Sequence, residues 1–405
     1  MKMLRRFGIL SRKRKVKAKS LSYVVITLLL VSIVLATIVL MVTYFYKIAN
    51  EFENQNYLIE KSKSTRNFCK SDFVNDDVFL NKYSNISFLE KVAVRKSYWG
   101  VLEKIQFKVW NTKDTLKETL FLGEKRGEAI SLYISDNNKQ LKLGGKTMIQ
   151  ENIYIPNGTY GELYIPKTLN QISISKLVNK SKNKLPDVND FFLPKSCELI
   201  DLESVREGFS NSFFSPTKKI IVNGGVLEGI KIEGNVVIES PRKLLIRSNT
   251  RLLDLLIVAP EIIFENGFSG NVQVLASKLI KLERNVTLNY PSVLYLKNDR
   301  QGSISIESGS SVLGAVISLS EKKQSDIIME ENTKVVGDLY SQGKLFFKGK
   351  MFGEMMAHEL YFHTNESEHR NAATDLKIYK LPNFTHQLKL FKGKKSSSRI
   401  LKCIK

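Results

Sequence analysis

Four histidines fall between residues 358 and 386, and two of them belong to HELYFH at 358–363. That segment is one residue longer than the HExxH zinc pattern, which needs its histidines at i and i+4 on one helical face. An offset of five turns them about 140° apart on a helix and sends them to opposite sides of a strand. A second acid-rich pattern is spread over the chain: Glu265, Glu283, Glu307 and Glu330 recur at one phase of a repeat, with Arg247 before them and Lys348 after. Stacked carboxylates supply the oxygen ligands that Ca²⁺ prefers. Lys278, Lys281 and Arg284 stand close enough in sequence to offset the charge, and the column is expected to face water. No GxSxG, P-loop or GxGxxG in a strand–turn–helix setting occurs, and no coil gathers the acids and bases a polysaccharide lyase would use. No catalytic, cofactor-binding or metal-ligating residue is therefore assigned, and no cofactor is expected. Cys69, Cys197 and Cys403 form no CxxC pair; they allow one disulfide and leave one thiol over.

The elements behind these residues are set by a repeat. LLIRSN, IIFENG, IKLERN, ISIESG, IIMEEN and LFFKGK begin at residues 244, 262, 280, 304, 327 and 345. The first column is Leu244, Ile262, Ile280, Ile304, Ile327 and Leu345, and two residues on stand Ile246, Phe264, Leu282, Ile306, Met329 and Phe347. A spacing of two puts both columns on one face of a strand, and both are apolar throughout. Next come Asn249, Gly267, Asn285, Gly309, Asn332 and Gly349, the last reached one residue early. Gly and Asn tolerate positive φ best, so this column predicts corners. The intervals of 18, 18, 24, 23 and 18 residues mark a solenoid. The two long ones carry LKNDRQGS and SEKKQSD, read as corner insertions. About 18 residues with short strands make three strands per coil: a parallel β-helix whose columns stack into ladders. An antiparallel sandwich would show hairpin spacing of about 8–12 residues. IKIEGN at 230–235 fits the pattern but not the period, and is assigned to a different edge.

Residues 21–46 read LSYVVITLLLVSIVLATIVLMVTYFY, without a charge, glycine or proline. That is long enough to cross a bilayer, with aromatic rings at both ends where they suit the interface. It is too long for the apolar core of a cleaved signal peptide, and no A-x-A-like site follows. Nine basic residues and no acid lie in residues 1–46, which by the positive-inside rule keeps the N-terminus cytoplasmic and the bulk outside. Removing those nine from the formal net charge of +22 leaves +13 elsewhere, an excess that scattered lysines solvating the surface account for and that would also suit an anionic polymer.

The chain divides as follows: a basic leader, 1–20; a transmembrane helix, 21–46; an α/β connector, 47–140; a first coil, 141–156; an insertion or flap, 157–219; the parallel β-helix, 220–355; and a cap and tail, 356–405. Trp99 and Trp110 are expected in a core near the connector's strands at 105–110 and 130–134. The fold class is mainly β, with one N-terminal helix.

The rhythm of residues 220–355 resembles the bactofilins, bacterial polymer-forming β-helix scaffolds. KVKAKSLSYVVITLLL resembles the entry of type IV pilins and pseudopilins, with Ala18 as the small residue before the cut, although Tyr23 stands where that family has glutamate. The overall plan resembles single-pass bacterial envelope proteins with a C-terminal β-helix. These resemblances imply a non-catalytic scaffolding or pilus-system role. The bilayer would be contacted through 21–46, with envelope or pilus-system proteins, an anionic polymer or a second copy as further partners. The alternative is binding or degradation of a surface polysaccharide by the β-helix.

Overall fold

The computed structural model describes residues 18–70, 91–164, 169–205, 208–298, 301–364, 367–383, 385–392 and 396–404. The basic leader up to residue 17 lies outside the described residues, as does residues 71–90 of the connector.

Helix α1 spans Ala18–Cys69 without a break. It is long and apolar enough to cross a membrane near the N-terminus. Within the apolar run the hydroxyls of Thr27, Ser32, Thr37 and Thr43 donate to carbonyls three residues earlier, at 2.7–3.0 Å. Each polar group is thus satisfied inside the helix, as a bilayer core demands. From Leu58 onward the helix docks: Leu58, Ser62, Thr65 and Cys69 are buried.

The helix docks on an antiparallel sheet of β1 (Val92–Trp99), β2 (Leu102–Trp110) and β3 (Thr115–Lys125). The C-terminal strand Ser397–Ile404 adds antiparallel to β3. Period-two alternation splits β3 between two cores: Leu120 and Leu122 pack in the cluster with Leu58 and Cys69, whereas Phe121 faces the solenoid. Trp99 is buried in that second interface, but Trp110 is 37% exposed. Trp110 ends β2, where the sheet no longer covers it.

The remainder is a parallel β-solenoid of about 11 turns. Long strands such as Arg251–Phe264 and Ser269–Leu282 bend through a corner and serve two faces. Each coil has a first face covered by the sheet, a second face carrying the expected ladder, and a third face. From Glu198–Ile200 onward the strands pair coil on coil in chain order as far as the strand Lys350–His363.

Beyond that point the stack departs from the expected plan. The next coil is built from two distant stretches. β4 (Ile130–Ile134) continues the first face, pairing Leu132 with Met355. Ala372–Thr374 and Lys377–Tyr379 supply the rest, with Lys377 beside Lys350 and Ala372 beside Lys142. On this composite coil stack the strands of residues 141–155, and on those the strands of residues 160–180. Residues 141–156 therefore form a coil, but at the far end from residue 220. Residues 157–219, expected as an insertion or flap, hold solenoid strands at both ends. Their lysine- and asparagine-rich composition hides this, since each short strand turns only one or two apolar residues inward, such as Ile172, Ile174 and Val178. The expected cap at 356–405 supplies part of a coil and two strands of the sheet.

Candidate functional site

The twelve ladder residues sit on the second face in unbroken register. Leu244, Ile262, Ile280, Ile304, Ile327 and Leu345 pair in succession, as do Ile246, Phe264, Leu282, Ile306, Met329 and Phe347. All are at most 1% exposed except Phe347 at 7%. The corner column is mixed. Gly267, Asn285, Gly309 and Asn332 have φ between +57° and +80°. Asn249 and Gly349 are not at positive φ. Asn249 instead turns its side chain to accept a hydrogen bond from the Gly229 amide at 3.0 Å. The corner at Gly349 is a residue shorter, and what it requires is space: a Cβ there would lie 2.2 Å from Thr333 Oγ1. Ala18 opens α1.

The glutamate column does not simply face water. Glu265 accepts from the Ser248 amide at 2.8 Å, Glu283 from Asn266 at 3.1 Å and Glu330 from Ser308 at 2.9 Å. Each carboxylate caps the corner of the preceding coil. Glu307 pairs with Lys281 at 2.7 Å. The Ser248 amide and the Arg247 guanidinium hold Glu265 below the usual carboxylate range. Both oxygens of Glu265 and one oxygen each of Glu283, Glu307 and Glu330 are engaged in this way.

His358 accepts or donates at Nδ1 to Ser135 Oγ, 2.6 Å away, and its Nε2 lies 2.9 Å from Lys323 Nζ. Ser135 is fully buried, so the pair cannot offer a nucleophile to a substrate. Burial and the neighbouring Lys323 push His358 below its ordinary value. Among the described residues no group of three or more His, Cys, Asp or Glu is arranged to hold a metal ion. Cys69, Cys197 and Cys403 are not joined in disulfides, and the Cys403 thiol donates to Glu118 at 3.6 Å.

The most unusual chemistry lies where the sheet meets the first face. Outward residues of that face run in register as Leu256, Gln273, Val293, Ala315, Asp338 and Glu354. Apolar members pack under the sheet. Gln273 is buried there and clasps the β1–β2 hairpin, accepting from the Val101 amide at 2.9 Å and donating to the Trp99 carbonyl at 2.8 Å. The last two members are acids, and Arg126 enters between them just beyond β3.

Arg126 donates through Nε to Glu124 at 2.6 Å, through Nη1 to Asp338 at 2.7 Å and also to Glu354, and through Nη2 to the Leu388 carbonyl at 3.1 Å. Its guanidinium lies 4.5 Å from the Phe391 ring centroid. All four charged side chains are at most 5% exposed. Three carboxylates share one cation, and Glu354 Oε1 has no partner. Burial pushes Asp338 up to about 6, with Arg126 opposing and Glu354 adding to the rise. With Nε, Nη1 and Nη2 of Arg126 all engaged and its acids nearly buried, the cluster ties the sheet to the solenoid.

Sequence reasoning missed this cluster because Glu124 and Arg126 lie over 200 residues from their partners. A signal was present in the dipeptides Gly314–Ala315, Gly337–Asp338 and Gly353–Glu354. The three glycines stack in register at φ between +130° and +143°. A Cβ on Gly337 would lie 2.0 Å from the Gly314 carbonyl oxygen. They form a second corner column, and the residue after each is aimed at the sheet.

Two cavities flank Arg126. One, of about 740 Å³, is walled by Tyr133, Tyr154, Lys180, Lys182 and Lys184. The other, of about 440 Å³, reaches His386 and Arg399. Tyr133 and Tyr154 stack with ring centroids 5.9 Å apart, and the Tyr154 hydroxyl donates to Glu128 at 2.6 Å. Compared with protein-family models, curated proteins and solved structures, the chain matches none.

Proposed function

We propose that the protein is a membrane-anchored structural platform, holding a rigid solenoid outside the bilayer with its N-terminus in the cytoplasm. The supporting observation is the continuity of α1. The helix that carries the apolar run is the same helix that docks on the sheet, and the sheet is in turn fixed to the first face. Arg66 clamps Glu118 through two hydrogen bonds of 2.6 Å, and Ser62 adds a third at 3.1 Å. The Arg66 ion pair and the hydrogen bonds hold Glu118 below the usual carboxylate range despite its burial. Between Tyr46 and Leu58 about twelve residues of helix span ~18 Å. Orientation rests on the nine basic residues before the apolar run.

A platform on a rigid helical post depends on rotation about that post. Deleting two residues between 47 and 57 turns the solenoid by about 200°, whereas deleting seven turns it by nearly two full turns. A photo-crosslinker at exposed second-face positions should capture the same neighbouring protein in the parent and the seven-residue deletion, and lose it in the two-residue deletion. Equal capture in all three overturns the reading. Labelling by an impermeant thiol reagent of a cysteine introduced before residue 20, in intact cells, overturns the orientation.

A further inference from the structure

The second and third faces treat charge differently. On the second face three basic side chains are matched: Arg247 with Glu265 at 2.6 Å, Lys281 with Glu307 at 2.7 Å and Lys344 with Glu368 at 2.9 Å. On the third face one outward column runs in register through Ser269, Thr287, Ser311, Lys334, Lys350 and Lys377. It contains no acid. Among the described residues none of its three lysines has an ion-pair partner; Lys334 instead rests 4.9 Å from the centroid of the Phe352 ring. Strands of neighbouring coils lie about 4.8 Å apart, so three like charges stand side by side. In water such neighbours cost up to about 1 kcal/mol each, and no protein carboxylate offsets that here.

The parallel column, two residues on, is apolar: Leu313, Val336, Phe352 and Tyr379. Phe352 and Tyr379 are partly exposed and stack with centroids 4.9 Å apart and planes 24° from parallel. The third face therefore pairs a row of hydroxyls and ammonium groups with an apolar ridge whose stacked rings turn their edges outward, both running along the solenoid axis. Ammonium groups at regular steps fit a chain of regularly spaced anions. The partly exposed ring edges offer apolar contact to the C–H groups of sugar rings, which a phosphate polymer lacks.

We propose that the third face binds an acidic polysaccharide laid along the solenoid axis, with Lys334, Lys350 and Lys377 on its carboxylates and Phe352 and Tyr379 against its rings. This site goes beyond the platform reading and does not depend on the membrane orientation. The test uses the full-length protein in detergent micelles with polygalacturonate as probe, polyphosphate as a sugar-free polyanion and dextran as a neutral glycan. The combined variant Lys334→Gln, Lys350→Gln, Lys377→Gln should bind polygalacturonate about tenfold more weakly or worse, with a reduced salt dependence. A variant changing Lys180, Lys182 and Lys184 to Gln lowers the net charge equally and should stay within about twofold of the parent. The pair Phe352→Thr, Tyr379→Thr should weaken polygalacturonate and leave polyphosphate unchanged. Unaltered melting curves show that the variants are folded, and Lys350→Gln alone serves if the triple variant is not. Equal losses in the two lysine variants would make the binding a general charge effect and overturn the site. Insensitivity to the aromatic pair, with polyphosphate bound as well as the glycan, would overturn the choice of ligand class.

Discussion

Replacing Asp338 by Asn tests the raised Asp338 carboxyl at the junction of sheet and solenoid. The folded protein holds Asp338 at about 6 against an ordinary value of 3.8. Groups facing it are Arg126, Glu354, Glu124 through the shared guanidinium, and the Leu388 amide, which donates to Asp338 Oδ2 at 3.3 Å. A folded value above the unfolded one means that the native state binds the extra proton. That contribution is fully present below about pH 4 and is lost as pH rises through about 6. At 1.36 kcal/mol per pH unit the displacement corresponds to about 3 kcal/mol. Asn keeps an oxygen for Arg126 and removes the ionisation. The variant should match the parent near pH 4 and exceed it by about 3 kcal/mol at pH 8. Urea unfolding of both proteins in detergent micelles, followed by circular dichroism from pH 4 to 8, gives the difference directly. Using the difference cancels the carboxylates elsewhere that titrate in the opposite sense. A difference that stays flat across this range, or grows toward low pH, would refute the argument.

Further outcomes follow from other parts of the molecule. Arg126→Met leaves three buried carboxylates without their cation and should cost about 3–5 kcal/mol in the same unfolding assay. Phe264→Ala, at a fully buried ladder site beside Phe268, should cost about 3–5 kcal/mol. Glu265→Gln should lower the melting temperature measurably, because the neutral amide is a poorer acceptor for the Ser248 amide and Arg247; an unchanged melt would show that the cap is idle. Native protein treated with a maleimide should be modified at exposed Cys403, while buried Cys69, pushed up to about 12 by burial, reacts only after unfolding; peptide mapping distinguishes the two.

The second face was legible because its signal is local in each coil. Two apolar residues two apart, then Gly or Asn, recur often enough to declare a period, and the strand partners follow from it. The corner column was read too uniformly: Gly349 is selected by the nearness of Thr333, a contact no single-chain pattern displays. The first face was illegible for a related reason. Val293, Tyr295, Ile317 and Tyr340 point away from the solenoid core yet are buried, so both sides of these strands are apolar and alternation disappears. Their cover comes from Trp99–Leu102, residues 186–191 and the C-terminal segment, which are remote in sequence. Arg126 and its three acids belong to that same cover and were hidden with it.

The composite coil bears on the order in which the chain acquires its structure. From residue 198 to residue 363 each strand can pair with one already made, so this part can grow as the polypeptide is delivered. The strands of residues 141–180 can join that growth on one face only, through β4. They pair with one another and along one face with β4, but the strands at 141–144 and 146–149 have no seat until Ala372–Thr374 and Lys377–Tyr379 close the coil. Until then they form an orphaned edge, with unpaired backbone groups of the kind that invites wrong pairing. Contacts this remote in sequence close late and slowly. Assembly of the molecule thus ends at its earliest solenoid strands, and premature loss of the last forty residues would leave the first coils stranded as well as removing the tail.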